Sequence, residues 1–129
     1  MVYILDTHAL VWYVTADKRL GQGARTALES VDAGDNQAII PIIVFGEILY
    51  LEERKRISVK LDELIERVKT NDNYVIAPLT LEIVNEARKV KEVAELFDRM
   101  IVATALVYNG VLVTRDLVLR KAKEVETVW

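Results

Sequence analysis

Four acidic residues hold most of the chemistry open to this chain: Asp6, Glu47, Asp98 and Asp116. Asp6 follows the apolar run Val2-Tyr3-Ile4-Leu5 directly, and Asp116 follows Val111-Leu112-Val113-Thr114 after one arginine. Asp98 opens a helical stretch from Arg99 to Tyr108. Glu47 has Ile43, Val44, Tyr50 and Leu51 at three- and four-residue spacing, which predicts that it faces the apolar side of its own helix. A carboxylate there is costly unless it is paired, protonated or bound to a cation. Should the four converge, two unit charges about 4 Å apart repel by roughly 4 kcal/mol at an effective dielectric of 20. A gathered cluster therefore implies a bound cation or captured protons. All-oxygen ligands suit magnesium or manganese rather than zinc or copper. The chemistry of such a centre is activation of water for attack on a phosphodiester, with no side-chain nucleophile required. Taken singly, each aspartate is equally explained as a helix N-cap worth about 1 kcal/mol, and an arginine partner would explain Glu47.

The rest of the composition removes competitors. With no cysteine there are no disulfides, thiolate nucleophiles or cysteine zinc sites. One histidine, His8, cannot build a zinc centre on two or three imidazoles, and a packing or surface role suits it better. Ser30 and Ser58 lack a nucleophile-elbow context. Gly21-Gln22-Gly23 lacks the third glycine and the preceding strand of a phosphate-binding turn, and reads as a loop between helices. The net charge of −3 does not advertise a nucleic-acid binder, although cations in an acidic pocket reverse its local potential.

Positioning these acids requires a scaffold that the sequence also outlines. Short apolar runs at Val2 to Leu5, Ala38 to Pro41, Tyr74 to Ala77, Val111 to Thr114 and Val125 to Val128 read as strands. Between them, Ala24 to Val31, Ile43 to Arg54, Leu61 to Val68, Leu81 to Val90 and Arg99 to Tyr108 carry helical periodicity, as do Leu10, Val11 and Val14. Thr80 marks a helix start and Asn109-Gly110 a stop. Continuous apolar strands alternating with helices predict an α/β sandwich around a parallel sheet, in one domain spanning residues 1–129. Ligands of such sheets sit at the carboxyl ends of the strands, where Asp6 and Asp116 fall. No apolar run approaches the roughly 18 residues of a membrane span, and a strand begins at Val2 where a secretory leader would lie, so a cytoplasmic protein is expected.

The segments Leu5-Asp6-Thr7-His8-Ala9-Leu10-Val11-Trp12, Gly46-Glu47-Ile48, Asp98-Arg99-Met100-Ile101-Val102-Ala103-Thr104-Ala105 and Leu112-Val113-Thr114-Arg115-Asp116 together resemble the PIN-domain ribonucleases, specifically the VapC-like toxins of prokaryotic toxin–antitoxin pairs. The resemblance covers essentially the whole chain. It implies a three-layer sandwich with a five-stranded parallel sheet, and an endoribonuclease dependent on Mg2+ or Mn2+. Asp6, Glu47, Asp98 and Asp116 would be both its catalytic residues and its metal ligands. A hydroxyl near the pocket is also implied, with Thr7 and Thr114 as candidates. Relatives often carry an acid and a proline just before the third carboxylate; here the chain reads Glu95-Leu96-Phe97-Asp98, keeping an acid but not the proline.

The same resemblance implies an RNA substrate, a VapB-like antitoxin that crosses the acidic pocket or lies along an apolar helical groove, and a homodimer. Trp12, Tyr13 and Tyr50 are candidate antitoxin contacts. Lys18, Arg19, Arg99, Arg115 and the run Arg54-Lys55-Arg56 are candidate phosphate contacts, with Arg99 and Arg115 preferred because they adjoin pocket acids. The alternative is a PIN fold used for RNA or protein binding without turnover. A phosphoacceptor receiver domain is a third reading, but it requires paired acids after the first strand and a late lysine that this chain does not supply.

Overall fold

The computed structural model describes all 129 residues. The chain runs β1 (Val2–Leu5), α1 (Thr7–Val14), α2 (Gln22–Asp32), β2 (Gln37–Pro41), α3 (Ile42–Glu53), α4 (Leu61–Lys69) and β3 (Tyr74–Ala77). It continues through α5 (Leu81–Ala87), α6 (Leu96–Val107), β4 (Val111–Val113), α7 (Leu117–Arg120) and β5 (Thr127–Val128). All five strands are parallel, in the order β3-β2-β1-β4-β5. This is the expected five-stranded α/β sandwich.

The central strands are apolar throughout because both of their faces are covered. Ile4, Leu5, Ile40, Leu112 and Val113 are completely buried. Helices supply the cover through their apolar stripes, as with Ala24, Ala27, Leu28 and Val31 on α2. From β1 the chain builds outward to β2 and β3, then returns to place β4 on the other side of β1. The strand order therefore reverses between β1 and β4, where parallel sheets open a crevice at their carboxyl ends. Leu5 pairs with Val113, so the residues that follow each strand emerge side by side.

Departures from the sequence reading lie at element ends. Helix α6 begins three residues before Arg99, because the Glu95 side chain accepts hydrogen bonds from the Phe97 and Asp98 N–H groups. Asp98 is therefore inside the first turn and is not the cap. Helix α5 ends at Ala87 rather than Val90, and β5 shrinks to two residues. The four-residue α7 was not anticipated; at one turn it is too short for periodicity to register. The Gly21-Gln22-Gly23 segment leads into α2 instead of cradling phosphate. A Cβ at Gly21 would stand 2.6 Å from the Trp129 backbone carbon, so that glycine makes room for Trp129.

The stop after α6 shows a glycine required by close approach. Asn109 takes a left-handed conformation (φ 52°), and the Gly110 N–H returns to the Ala105 carbonyl at 2.9 Å. A Cβ at Gly110 would lie 2.5 Å from Ile4 Cδ1 and 2.9 Å from the Val2 carbonyl oxygen. The latter belongs to strand backbone and cannot rotate away. Gly110→Ala is expected to destabilise the fold by about 1–3 kcal/mol through overpacking, read as a lower urea midpoint with unchanged m-value. No helix is long and apolar enough to cross a membrane.

Candidate active site

The crevice between β1 and β4 is an open cavity of about 310 Å3 lined by Asp6, Thr7, His8, Trp12, Glu47, Asp98, Ile101, Arg115 and Asp116. All four sequence-selected acids border it, brought from β1, α3, α6 and the end of β4. Two of them also cap helices. Asp6 accepts from the Ala9 N–H of α1 at 3.2 Å, and Asp116 accepts from the Val118 N–H of α7 at 2.8 Å. The capping and pocket readings thus hold together at Asp116, whose second carboxylate oxygen is left for the crevice, whereas the second oxygen of Asp6 meets the Thr114 hydroxyl.

Two buried threonines fix these carboxylates. The Thr114 hydroxyl donates to Asp6 Oδ2 at 2.5 Å and accepts from the Asp116 N–H at 3.1 Å, joining the two strand-end acids through one oxygen. The Thr7 hydroxyl donates to Glu47 Oε1. Thr114 is 0% and Thr7 2% exposed, so their side chains have no water to fall back on. Thr114→Val keeps the volume but removes the bridge. It is expected to cost about 1–3 kcal/mol, because the partners of a buried hydroxyl are left unsatisfied; equilibrium urea denaturation measures this.

Glu47 corrects one expectation. It is exposed rather than turned to the core, and α3 buries Val44, Phe45 and Ile48 instead. The Ile43, Glu47 and Tyr50 side chains therefore form a surface face, and the apolar neighbours that suggested burial line an open cleft. That cleft, about 470 Å3, is bordered by Ile43, Gly46, Glu47, Tyr50, Phe97 and Ile101, and shares Glu47 and Ile101 with the acidic pocket.

None of the four acids has a basic partner; the ion pairs of the protein are Arg19–Asp17 and Lys89–Glu86, both elsewhere. The consequence is clearest at Asp98, whose pKa is pushed up to about 6 by burial and then by the charges of Glu95, Asp116, Glu47 and Asp6. Burial also raises Asp6, against the hydrogen bonds from Thr114 and Ala9 and the nearby His8. Glu95 therefore acts twice, as cap of α6 and as a fifth negative charge on the pocket. In donor type and in unbalanced charge the pocket fits a hard divalent cation. As placed, no three of these side chains approach within common ligating reach, since Asp6 and Glu47 are turned to threonine hydroxyls.

The remaining candidates divide. Exposed His8 packs against Trp12, with ring centroids 5.1 Å apart. Arg115 lines the pocket with its guanidinium 4.6 Å above the Trp12 ring. Arg99, preferred as its partner, instead donates from Nε to the Val90 carbonyl at 3.1 Å and braces the loop before α6. Trp12 is buried, and the Tyr13 hydroxyl donates to Asp32, which the Tyr74 hydroxyl also reaches at 2.8 Å. Of the three aromatic candidates for partner contact, only Tyr50 is exposed, in the cleft that adjoins the pocket. The Tyr13–Asp32–Tyr74 group lines a larger cavity of about 650 Å3 near the amino end of β3, remote from the switch point.

A doubly covered parallel sheet with four carboxylates at its switch point defines a class of α/β proteins that concentrate negative charge where a cation and a phosphate could meet. Residues 3–125 match the PIN domain, and the chain belongs to that family. It is 29% identical to Ribonuclease VapC22 of Mycobacterium tuberculosis over 134 residues, covering 98% of this chain and 97% of that protein. Its fold is similar to chains in two solved complexes. One is VapBC2 from Rickettsia felis bound to a promoter DNA fragment, with TM-score 0.71, 18% identity and coverage of 98% and 97%. The other is DNA-bound VapBC from Salmonella typhimurium, with TM-score 0.70, 14% identity and coverage of 98% and 96%.

Proposed function

We propose that this chain is a divalent-metal-dependent endoribonuclease and the toxin of a VapBC-type pair. The observation that carries the reading is the convergence of Asp6, Glu47, Asp98 and Asp116 on one crevice with no basic partner for any of them. The ribonuclease name of the similar mycobacterial protein supports it. Bound to these oxygens, Mg2+ or Mn2+ supplies activation of water and shielding of phosphoryl charge. The side chains do the rest. Thr114 holds Asp6 and the Asp116 backbone in register, Thr7 holds Glu47, and Asp98, its pKa pushed up to about 6 by burial and the neighbouring acids, is the carboxyl that would give up a proton to a cation held there. Arg115 is the cation at the rim of the pocket that can meet a phosphate oxygen.

An antitoxin suited to this site is an amphipathic segment with apolar side chains for the cleft beside Tyr50 and Phe97 and a basic side chain for the acids. That similar chains occur in VapBC complexes supports a VapB-like partner. Cleavage of a defined RNA should appear with Mn2+ and disappear with EDTA. Retained RNA binding with no cleavage in any divalent cation contradicts this reading and favours a non-catalytic binding module.

A further inference from the structure

A second cavity, about 420 Å3, adjoins the acidic pocket; His8 and Trp12 line both. Its far wall is the turn after α3, with Lys55, Arg56, Ile57 and Ser58, and its near wall is the turn after α1. We infer that this cavity is the track for the sugar-phosphate backbone of the RNA strand on one side of the cut, with Lys55 and Arg56 as its phosphate contacts. The inference rests on the ribonuclease reading above and assigns the strand a direction of exit from the pocket.

The charge distribution points there. The chain as a whole carries −3, yet this cavity has three basic side chains against a single acid, Asp17. Asp17 is fully committed: Arg19 Nε and Nη2 bond its two oxygens at 3.0 and 2.8 Å, and the Arg19 guanidinium rests 4.5 Å over Trp12. Lys55 and Arg56 are exposed and have no ion pair, leaving two uncompensated cations beside a pocket of uncompensated acids. A strand carrying phosphates complements the first group directly and the second only through a divalent cation. Continuity through His8 and Trp12 lets one strand meet both.

The turn that presents these cations is held in a conformation lysine disfavours. Lys55 is left-handed (φ 56°), closing α3 with its N–H on the Glu52 carbonyl and the Arg56 N–H on the Leu51 carbonyl, both at 2.9 Å. Glycine suits that position better. A lysine kept there for structure alone would gain stability on replacement and lose nothing else. The track reading instead requires that Lys55→Gly weaken RNA binding while unfolding at the same temperature as wild type or higher.

The test is fluorescence anisotropy of a labelled twelve-nucleotide single-stranded RNA in EDTA at several salt concentrations, with Mn2+-supported cleavage measured in parallel. Lys55→Gln/Arg56→Gln is expected to bind about tenfold or more weakly, with a salt slope shallower by about 1.4, or about 0.7 for each lost contact. Lys55→Gly should show part of that loss. The charge-matched pair Arg67→Gln/Lys69→Gln, on α4 with Arg67 at the remote cavity, should bind as wild type does. Equal affinity and slope in the two double variants overturns the track, as does wild type failing to bind RNA at low salt. Cleavage separates the two claims: unchanged KM in Lys55→Gln/Arg56→Gln with active wild type removes the track alone, whereas groove-dependent binding without cleavage removes the nuclease reading alone.

Discussion

Asp6→Asn is expected to lower Mn2+-supported RNA cleavage by at least about a hundredfold, while the protein stays folded at or above wild-type stability. The loss follows from the proposed role, since changing even the groups behind a metal ligand typically costs about 10–100-fold. The intact fold follows from the local chemistry. Asparagine caps helices as well as aspartate does, so the bond from the Ala9 N–H survives. The Thr114 hydroxyl can accept from the new amide in place of donating to Asp6 Oδ2. Removing this charge also relieves the cost of burial that raises the Asp6 pKa and, to a smaller degree, the repulsion from Glu47. Single-turnover cleavage and thermal melts on one preparation check both halves; activity near wild type sinks the assignment of Asp6.

Asp98→Asn should separate stability from activity in opposite directions. In metal-free buffer the Asp98 carboxyl titrates near 6 in the folded chain against 3.8 for the free side chain. Native protein therefore binds this proton more tightly than unfolded protein. The stability it contributes is complete below about pH 4 and is lost as pH rises to 6 and beyond. Asparagine has no such loss. The variant should melt with wild type at pH 4 and above it from pH 6 to 8, yet lack cleavage. Mn2+ at pH 7 should raise the wild-type melting temperature and leave the variant nearly unmoved. Melting curves that differ equally at every pH contradict the electrostatic cause.

The sheet and its acids were legible in the sequence for a physical reason. Strands covered on both faces must be apolar at every position, which makes runs such as Val111-Leu112-Val113 conspicuous, and a residue directly after such a run has little choice of location. Asp6 and Asp116 could be placed on that basis. Glu47 could not, because a stripe of Ile43, Tyr50 and Leu51 looks the same whether it faces the core or an open cleft. Burial is a tertiary property, and here the stripe borders an open cleft. The roles of Thr114 and Thr7 were equally hidden. Each hydroxyl meets an acid 108 or 40 residues away, a pairing that only the adjacency of β1, β4 and α3 creates. The start of α6 was misplaced because Glu95 caps through its side chain two and three residues ahead, a pattern that Asp98 imitates locally.

Calorimetric titration of Mn2+ into the apoprotein at pH 6.5, in buffers of different ionisation enthalpy, bears most directly on the idea that these acids make one metal centre. The account predicts saturable uptake by wild type with release of a fraction of a proton from Asp98, and at least about tenfold weaker uptake by both Asp6→Asn and Asp98→Asn. Uptake of equal strength in all three proteins, or none in wild type, would contradict it.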